Sequence, residues 1–432
     1  MEQSLTENIG AQPGEARWSF EKKYFLRFAC IYIFLYIFPF PFSEFSFLNG
    51  DIFVYYNEIW HIAVQWTGEN ILHLPYTISV FPNGSGDTTY NYVQVFVFFT
   101  LSVIFALIWT YIDKKRNYDK KISYWLLVFV RYYLGFTLLG YGFAKVFKTQ
   151  FPFPNDMRLT ETYGQSSPMG LLWTFMGYSP AYNYFTGGAE VLAGVLLFFR
   201  RTVTYGSLVA ITVLSNIVII NFCYDVPVKL FSMHLLLMAV LILSFDIDRV
   251  VKFFFLNKAV SPAEITPIFA NQSYRRAALV LKVALICFFL FITIKMNLGF
   301  LNRISSDKSL LMKGGYEVED FTVNNTEVRS GIESPYRWKF FYIAPEAGYV
   351  SIRTENDSLQ YFTYSQTDKT INIKTYSYPN NLFVYNELEP GKIVLTGTYK
   401  TDSLKLTLRK MDGSYNLVNR GFHWINEYPF NR

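Results

Sequence analysis

The sequence has few charged residues and lacks the motifs that most soluble enzymes carry. Only 17% of its 432 residues are charged, and only four are histidine. It contains no Gly-x-Gly-x-x-Gly, P-loop, His-Glu-x-x-His or Cys-x-x-Cys motif. These absences argue against a nucleotide site, a metal centre and a haem. If the protein takes part in electron transfer, another molecule must supply the electron carrier.

Disulfides and nucleic acid are also unexpected. The three cysteines (Cys30, Cys223 and Cys287) lie in apolar segments, and the polar C-terminal region has none. The formal net charge is +6, but no Lys/Arg-rich patch is interleaved with aromatic residues outside the apolar runs. The basic balance is better explained by loop charges that set membrane topology.

Long apolar runs dominate what is present. Hydrophobic residues make up 51% of the chain, and they cluster in runs of about 20, the length that crosses ~30 Å of hydrocarbon. The first run lacks a small-residue cleavage site, so we expect a retained helix rather than a signal peptide. Seven spans are predicted: Tyr24–Phe42, Asn91–Ile112, Ile122–Phe147, Pro180–Phe199, Val203–Tyr224, Val228–Phe245 and Ala277–Met296.

Loop charges orient these spans. Basic residues fill the loop 113–121, the turn Arg200-Arg201 and the loop 246–276, whereas residues 43–90 contain no Lys or Arg. The positive-inside rule then places the N-terminus inside and the region after the last span outside. We expect a multi-pass protein of the bacterial cytoplasmic (inner) membrane, in contact with the lipid bilayer.

Two shorter helices are predicted on the outer side. Asp51–Trp66 is amphipathic and suits a helix lying on the membrane surface. If Ile71–Phe81 joined it as a hairpin, the span count would rise. Ser167–Met176 suits a short helix with Ser167 as N-cap and Gly177 as the stop.

The C-terminal region reads as β structure. From about residue 317 it alternates apolar and polar residues, with predicted strands at 349–353, 370–374, 382–385, 392–399 and 403–409 and turns at 378–381 and 389–391. This spacing is typical of a small sandwich or barrel. The predicted fold class is a membrane α-helical protein with about seven transmembrane helices and a C-terminal all-β extracytoplasmic domain.

These elements give a predicted domain organisation. It comprises a cytoplasmic tail (1–23), two extra spans with an outer loop and amphipathic helix (24–119), a four-helix core (120–246), a cytoplasmic loop with the last span (247–298) and the β domain (299–432).

A charged stripe in the third span locates a candidate site. Arg131, Gly135, Leu138, Gly142 and Lys145 are spaced four, three, four and three, so they share one helix face. A charge inside a bilayer is costly and marks a packed, wet or catalytic interior. Glycines let another helix or a ligand approach the backbone. The stripe predicts one wall of a polar pocket.

Glu190 is the expected counterpart of this stripe. It lies between Gly187 and Gly194 on the next long span, at a depth close to that of Arg131. An Arg131–Glu190 pair is predicted because each charge would otherwise be buried without compensation. Both a purely architectural pair and a binding or proton-handling site fit this pattern.

A second polar group gathers near the outer leaflet. It comprises Asn221, Asp225, Lys229 and His234, with Asn216 deeper and on another face. Taken singly, Asp225 suits a loop cap and His234 a hydrogen-bonded interior histidine. Their joint occurrence favours the mouth of a pocket. Extension to the lipid headgroups is an alternative for Lys145 and Lys229 and the expectation for Arg27, Lys282 and Lys295.

The order of these motifs resembles the core of the DoxX family of bacterial membrane proteins. The resemblance rests on Arg131-x-x-Leu134-Gly135, on Gly142-x-x-Lys145, on Glu190 with Gly194 and on the double-basic turn that follows. The runs at 167–179 and 225–230 are similar to a long branch of that family. About residues 120–245 are covered. The other spans and the β domain depart from the family's four-helix pattern.

The resemblance implies association with quinone or with membrane oxidoreductase complexes, through Arg131, Lys145 and Glu190. We therefore expect a DoxX-like inner-membrane protein with a polar intramembrane pocket, at most a subunit of an oxidoreductase. The residues leave the cofactor open, and quinone is the candidate that the resemblance implies. The β domain would contact an oxidoreductase or other envelope proteins. A small-solute transporter or channel, and an envelope assembly or scaffold protein acting through the β domain, remain as alternatives.

Overall fold

The structure, a computed structural model, describes residues 18–42, 51–81, 83–113, 118–262, 271–306, 312–331, 334, 336–344, 348–367, 369–375, 378 and 380–431. The chain divides into two compact units. The helical unit lies within residues 1–143 and 186–290, and the β unit lies within residues 144–185 and 291–432. Lys114, Lys115 and Arg116, which helped to orient the predicted spans, lie outside the described residues, as do residues 43–50 and 263–270.

Helices occupy the predicted apolar runs. In chain order they are α1 (Phe20–Ile37), α2 (Asp51–Asn70), α3 (Thr89–Ile112), α4 (Asp119–Val146), α5 (Asp156–Leu159), α6 (Pro168–Tyr178), α7 (Pro180–Phe198), α8 (Val203–Cys223), α9 (Lys229–Ser244), α10 (Ile247–Val250), α11 (Gln272–Ser306) and α12 (Asn416–Asn419). Buried aliphatic residues of α1, α4, α7, α8 and α9 form the main core of the helical unit.

Several of these helices have the character of membrane spans. Among the described residues, α3, α4, α8 and α11 are long and apolar enough to cross a membrane. A fifth span results if α9 and the segment Ile247–Phe255, which are bent by 74° at a short break, count as one. Helices α1 and α7 form where spans were predicted but are not among these. The structure thus supports a multi-pass membrane protein with four or five such spans.

Local chemistry explains where several helices begin and end. The Ser19 side chain caps α1 by accepting a hydrogen bond from the backbone N–H of Lys22. The same helix ends at Ile37, short of the predicted end at Phe42, because proline lacks a backbone donor and disfavours helix before it. Residues 39 and 41 are both proline.

The two shorter outer helices are also present. Helix α2 begins at Asp51 as predicted, while the described residues of 71–81 form no helix, so no helical hairpin extends it. Helix α6 is capped by Ser167, as predicted, but it continues through Gly177 to Tyr178. Gly177 is therefore not the stop. A Cβ there would lie 2.3 Å from the Pro152 carbonyl oxygen, so the glycine permits close backbone approach.

The C-terminal region forms an eight-stranded antiparallel barrel. Its strands are β1 (Gly314–Val323), β2 (Thr326–Glu327), β3 (Trp338–Ala344), β4 (Tyr349–Thr354), β5 (Leu359–Gln366), β6 (Thr370–Lys374), β7 (Asn381–Glu389), β8 (Lys392–Tyr399) and β9 (Asp402–Lys410). Consecutive strands from β3 to β9 are neighbours, β1 pairs with both β3 and β9, and this closes the barrel. The two-residue β2 is an appendage on β1.

The barrel is a packed core rather than an open tube. Large side chains fill it, with Tyr316, Phe341 and Phe383 at most 1% exposed. The five predicted strands are confirmed as β4, β6, β7, β8 and β9, and of the two predicted forms the structure shows the barrel. Strands β1, β3 and β5 extend it beyond the prediction.

Residues 144–185 belong to the β unit, although they were predicted as part of the four-helix core. The Asp156 carboxylate accepts a 2.7 Å hydrogen bond from the Gly315 backbone N–H. Arg353 donates to the Thr160 carbonyl at 3.0 Å, and the Thr160 hydroxyl lies 2.6 Å from that of Tyr342. These bonds fix the segment against the barrel.

Candidate functional site

The glycines of the predicted stripe form a helix-packing surface. A Cβ on Gly142 would lie 2.7 Å from the Gly187 carbonyl oxygen, and one on Gly135 would lie 2.8 Å from the Phe198 ring. A Cβ on Gly194 would in turn lie 2.7 Å from the Gly135 carbonyl oxygen. Helices α4 and α7 thus approach at backbone distance. This part of the stripe holds a helix and not a ligand.

Arg131 has a different neighbour from the one expected. Its side chain is buried, and Nε donates a 2.9 Å hydrogen bond to the Leu197 carbonyl. Glu190 lies seven residues before Leu197, about 10 Å along α7. The predicted Arg131–Glu190 pair is therefore wrong, because the close glycine contacts set a register in which Arg131 meets the C-terminal end of α7.

Glu190 and Lys145 are both buried. Glu190 is 1% exposed and lies close enough to Tyr141 to act on it electrostatically. Lys145 is 7% exposed, so its side chain is enclosed by protein and does not extend outward. The two residues fall in different units of the chain.

The polar residues predicted near the start of α9 contact one another or their neighbours in the helical unit. Asn221 donates to the Ser232 hydroxyl at 3.0 Å and thereby joins α8 to α9. Asp225 is an exposed loop residue with φ +50°, and its carboxylate lies 2.8 Å from the Lys229 ammonium. Asn216 lies on an exposed face of α8. Asn221, Asp225 and Lys229 thus each have a structural contact within this region.

Asp87, which the sequence did not single out, is central to this region. Its carboxylate accepts hydrogen bonds from the backbone N–H groups of Lys229 (2.8 Å) and Leu230 (2.9 Å). These are donors that the first turn of a helix leaves unpaired, and the helix dipole favours an anion there. Asp87 thus caps α9 from the loop before α3.

His234 is an interior histidine that joins two helices. Its Nδ1 lies 2.6 Å from the Leu230 carbonyl oxygen, and its Nε2 lies 2.6 Å from the Tyr32 hydroxyl. A carbonyl only accepts, so Nδ1 carries a hydrogen, and Nε2 and the Tyr32 hydroxyl form the second hydrogen bond. The ring also stacks on Tyr36 with centroids 3.9 Å apart. The hydrogen-bonded alternative therefore accounts for this residue.

Arg27 is also buried rather than extended to the headgroups. It is 0% exposed, and its guanidinium lies 3.1 Å from Asp113 and 3.6 Å from Asp119. Lys23 lies 3.4 Å from the same Asp119. Two cations and two carboxylates thus meet among the described residues, and they join α1, α3 and α4.

A cavity of about 630 Å³ lies in the helical unit, among the segment after α1 and helices α4, α7 and α11. Eight aromatic residues contribute to its wall, and among them Phe136 stacks on Phe289 with 4.0 Å between ring centroids. Four cationic side chains line it: Arg131, Arg200, Arg275 and Lys282. No acidic side chain is among its described lining residues. Arg131 alone of the predicted site residues belongs to it.

Lys282 is the main residue that the sequence reading missed. It was expected to extend to the headgroups, but its ammonium donates to the Phe198 carbonyl at 2.6 Å. The available signal was spacing: Arg275 and Lys282 on α11, and Tyr124 and Arg131 on α4, are each seven residues apart. Such pairs share one helix face. Both pairs line the cavity.

Comparison with known proteins gives one family assignment and no activity. No family model matches the chain. No solved structure matches it. The chain is 36% identical over 118 residues to a protein of Bacillus subtilis (strain 168) described as "Uncharacterized protein YwoB", and the match spans 27% of this chain and 73% of that protein. On this match, the chain belongs to the family of the uncharacterized protein YwoB.

Proposed function

We propose that the chain is a DoxX-like membrane protein whose helical unit binds a lipophilic molecule in the cavity among α4, α7 and α11. The cavity carries this proposal. Its volume of about 630 Å³ lies within the 300–1,000 Å³ typical of small-molecule sites, and apolar walls with a few convergent polar groups are typical as well.

The outer wall of the cavity favours a ligand that arrives from the lipid phase. Leu279 and Leu281 of α11 line the cavity, and each is 60% exposed. Helix α11 is long and apolar enough to span a membrane. Around such a helix, the surrounding medium is hydrocarbon, so a lipophilic molecule would enter between helices without crossing water.

Quinone is the lipophilic ligand that the DoxX-like resemblance implies, and the cavity residues fit it. The stacked rings of Phe136 and Phe289 would hold a flat ring, and Arg131 and Lys282 would donate hydrogen bonds to its oxygen atoms. A bound quinone would supply reversible two-electron chemistry to an oxidoreductase assembly. The chain's own residues would bind and orient it.

The topology is part of the same proposal. Seven spans (α1, α3, α4, α7, α8, α9 and α11), with the N-terminus inside a bacterial cytoplasmic membrane, would place the barrel outside, where it would contact envelope proteins. Single cysteines at Arg201 and Asp402, in a cysteine-free background, test this orientation. A membrane-impermeant maleimide applied to intact cells is expected to label the second and not the first.

The binding proposal is tested by the lipophilic molecules that co-purify with the protein. The full chain would be purified in mild detergent, and solvent extracts would be compared by mass spectrometry. Ala278→Trp fills the cavity, whereas Ala277→Trp changes the neighbouring exposed residue, which is not a lining residue. We expect a bound species in the wild type and in A277W, and its loss in A278W. Identical extracts from all three would overturn the proposal.

A further inference from the structure

The cavity has one polar end, and it is built on the C-terminus of α7. The last carbonyls of a helix have no partner within the helix and carry about half a negative charge together. Arg131 of α4 donates to Leu197 and Lys282 of α11 donates to Phe198. Two cations from separate helices therefore converge on one helix end.

Their positive charge exceeds what α7 neutralises. Arg131, Arg200 and Lys282 are close enough to repel one another electrostatically. The half negative charge at the end of α7 offsets only part of the two full positive charges of Arg131 and Lys282. In a medium of low dielectric constant such an excess is costly, and a nearby anion lowers that cost.

The hydrogen-bond donors of these side chains are only partly used. A guanidinium has five N–H groups and an ammonium has three. Within the described residues, one guanidinium nitrogen of Arg131, Nε, donates to the protein. Because both side chains line the cavity, their remaining donors are available to a ligand there.

We propose that this end of the cavity binds the anionic phosphate head of a membrane lipid, held by Arg131 and Lys282, with its hydrocarbon chain along Phe136 and Phe289. The inference rests on the lipophilic-ligand site of the proposed function and names a phospholipid, in place of quinone, as its occupant. Basic pockets between membrane helices are a known way to bind such heads. Arg131 and Lys282 therefore have two roles, since they also cap α7.

Nanodiscs of defined lipid composition test the inference. The full chain, delipidated in detergent, would be placed in phosphatidylcholine nanodiscs containing a minor fraction of phosphatidylglycerol, and retained lipids would be counted by native mass spectrometry. We expect the wild type to retain phosphatidylglycerol preferentially. Removing one cation by R131Q or K282Q is expected to lower the preference about fivefold. Equal retention of the two lipids by the wild type would overturn the inference.

Matched variants separate lipid recognition from the capping of α7. Lys295→Gln removes an exposed charge from the same helix, α11, at a position outside the cavity lining, and it is expected to leave the preference unchanged. Arg131→Lys keeps the charge and is expected to keep most of the preference for phosphatidylglycerol. A loss in K295Q equal to that in K282Q would contradict the inference.

Two further measurements distinguish a lipid phosphate from free phosphate as the ligand, and phospholipid binding from the binding of another lipophilic molecule. Inorganic phosphate, added in excess, is expected not to displace the lipid, and full displacement would show a site for free phosphate instead. If a neutral quinone is retained in the wild type and lost in A278W while phosphatidylglycerol is not retained, the proposed function stands and this inference fails. If A278W changes the retention of no lipophilic molecule, both fail.

Discussion

Adding one methyl group to Gly142 should separate α4 from α7. The new Cβ would lie 2.7 Å from the Gly187 carbonyl oxygen and 2.7 Å from a methyl carbon of Val191, whereas ordinary van der Waals contact begins at 3.4 Å. Relief requires a shift of about 0.7 Å between two backbones that are held again at Gly135. Overpacking of this kind typically costs about 1–3 kcal/mol.

Thermal unfolding of purified Gly142→Ala measures this cost. One kcal/mol shifts Tm by about 2–4 °C in a unit of this size, so we expect a decrease of about 2–12 °C. Gly140→Ala is the matched control on the same helix, since a Cβ there would have nothing within 4 Å. Equal melting temperatures for the two variants would refute the close packing of α4 on α7.

Three further substitutions, each removing a side chain with a defined contact, are expected to change stability. Asp87→Ala removes the N-terminal cap of α9 and should lower the free energy of unfolding by about 0.5–2 kcal/mol in a denaturant titration. Arg337→Ala leaves Glu355 of the barrel without the guanidinium that lies 2.8 Å from it. The free energy of unfolding should fall by about 3–5 kcal/mol, as measured by the near-ultraviolet circular dichroism of the barrel aromatics. The hydrogen bond from Arg409 holds the pKa of Glu319 below its usual range. Because that pKa is lowered on folding, the resulting stability should be present above about pH 4.5 and lost as pH falls through the folded-state pKa, and E319Q should abolish this dependence in pH-resolved melting curves.

The sequence predicted those parts of the fold that depend on local patterns. Strands such as Thr370–Lys374 alternate buried and exposed side chains, and that period is visible in the residue order. Strand β3 escaped prediction because it has a nearly continuous buried run, which alternation cannot identify. Closure of the barrel also depends on pairing between β1 and β9, whose paired residues are 81 to 94 positions apart, and no local pattern encodes such a contact.

The candidate site was predicted less well because its geometry depends on the register between helices. Counting residues from the membrane surface placed Arg131 and Glu190 at one depth. The glycine contacts between α4 and α7 instead set Arg131 beside Leu197. Lys282 lies on a helix that is distant in sequence, so its convergence with Arg131 could be found only from tertiary structure. The sequence shows the charged residues Arg131 and Lys282, but their contacts with the end of α7 depend on the tertiary structure.

An experimental density map of the protein purified from its own membranes tests the central claim most directly. We expect an elongated density in the cavity, beginning beside Arg131 and Lys282 and continuing along Phe136 and Phe289. The cavity-filled variant A278W, solved under the same conditions, should lack that density. A wild-type map in which the cavity is closed by side chains, or holds only isolated water-sized peaks, would contradict binding of a lipid in this cavity.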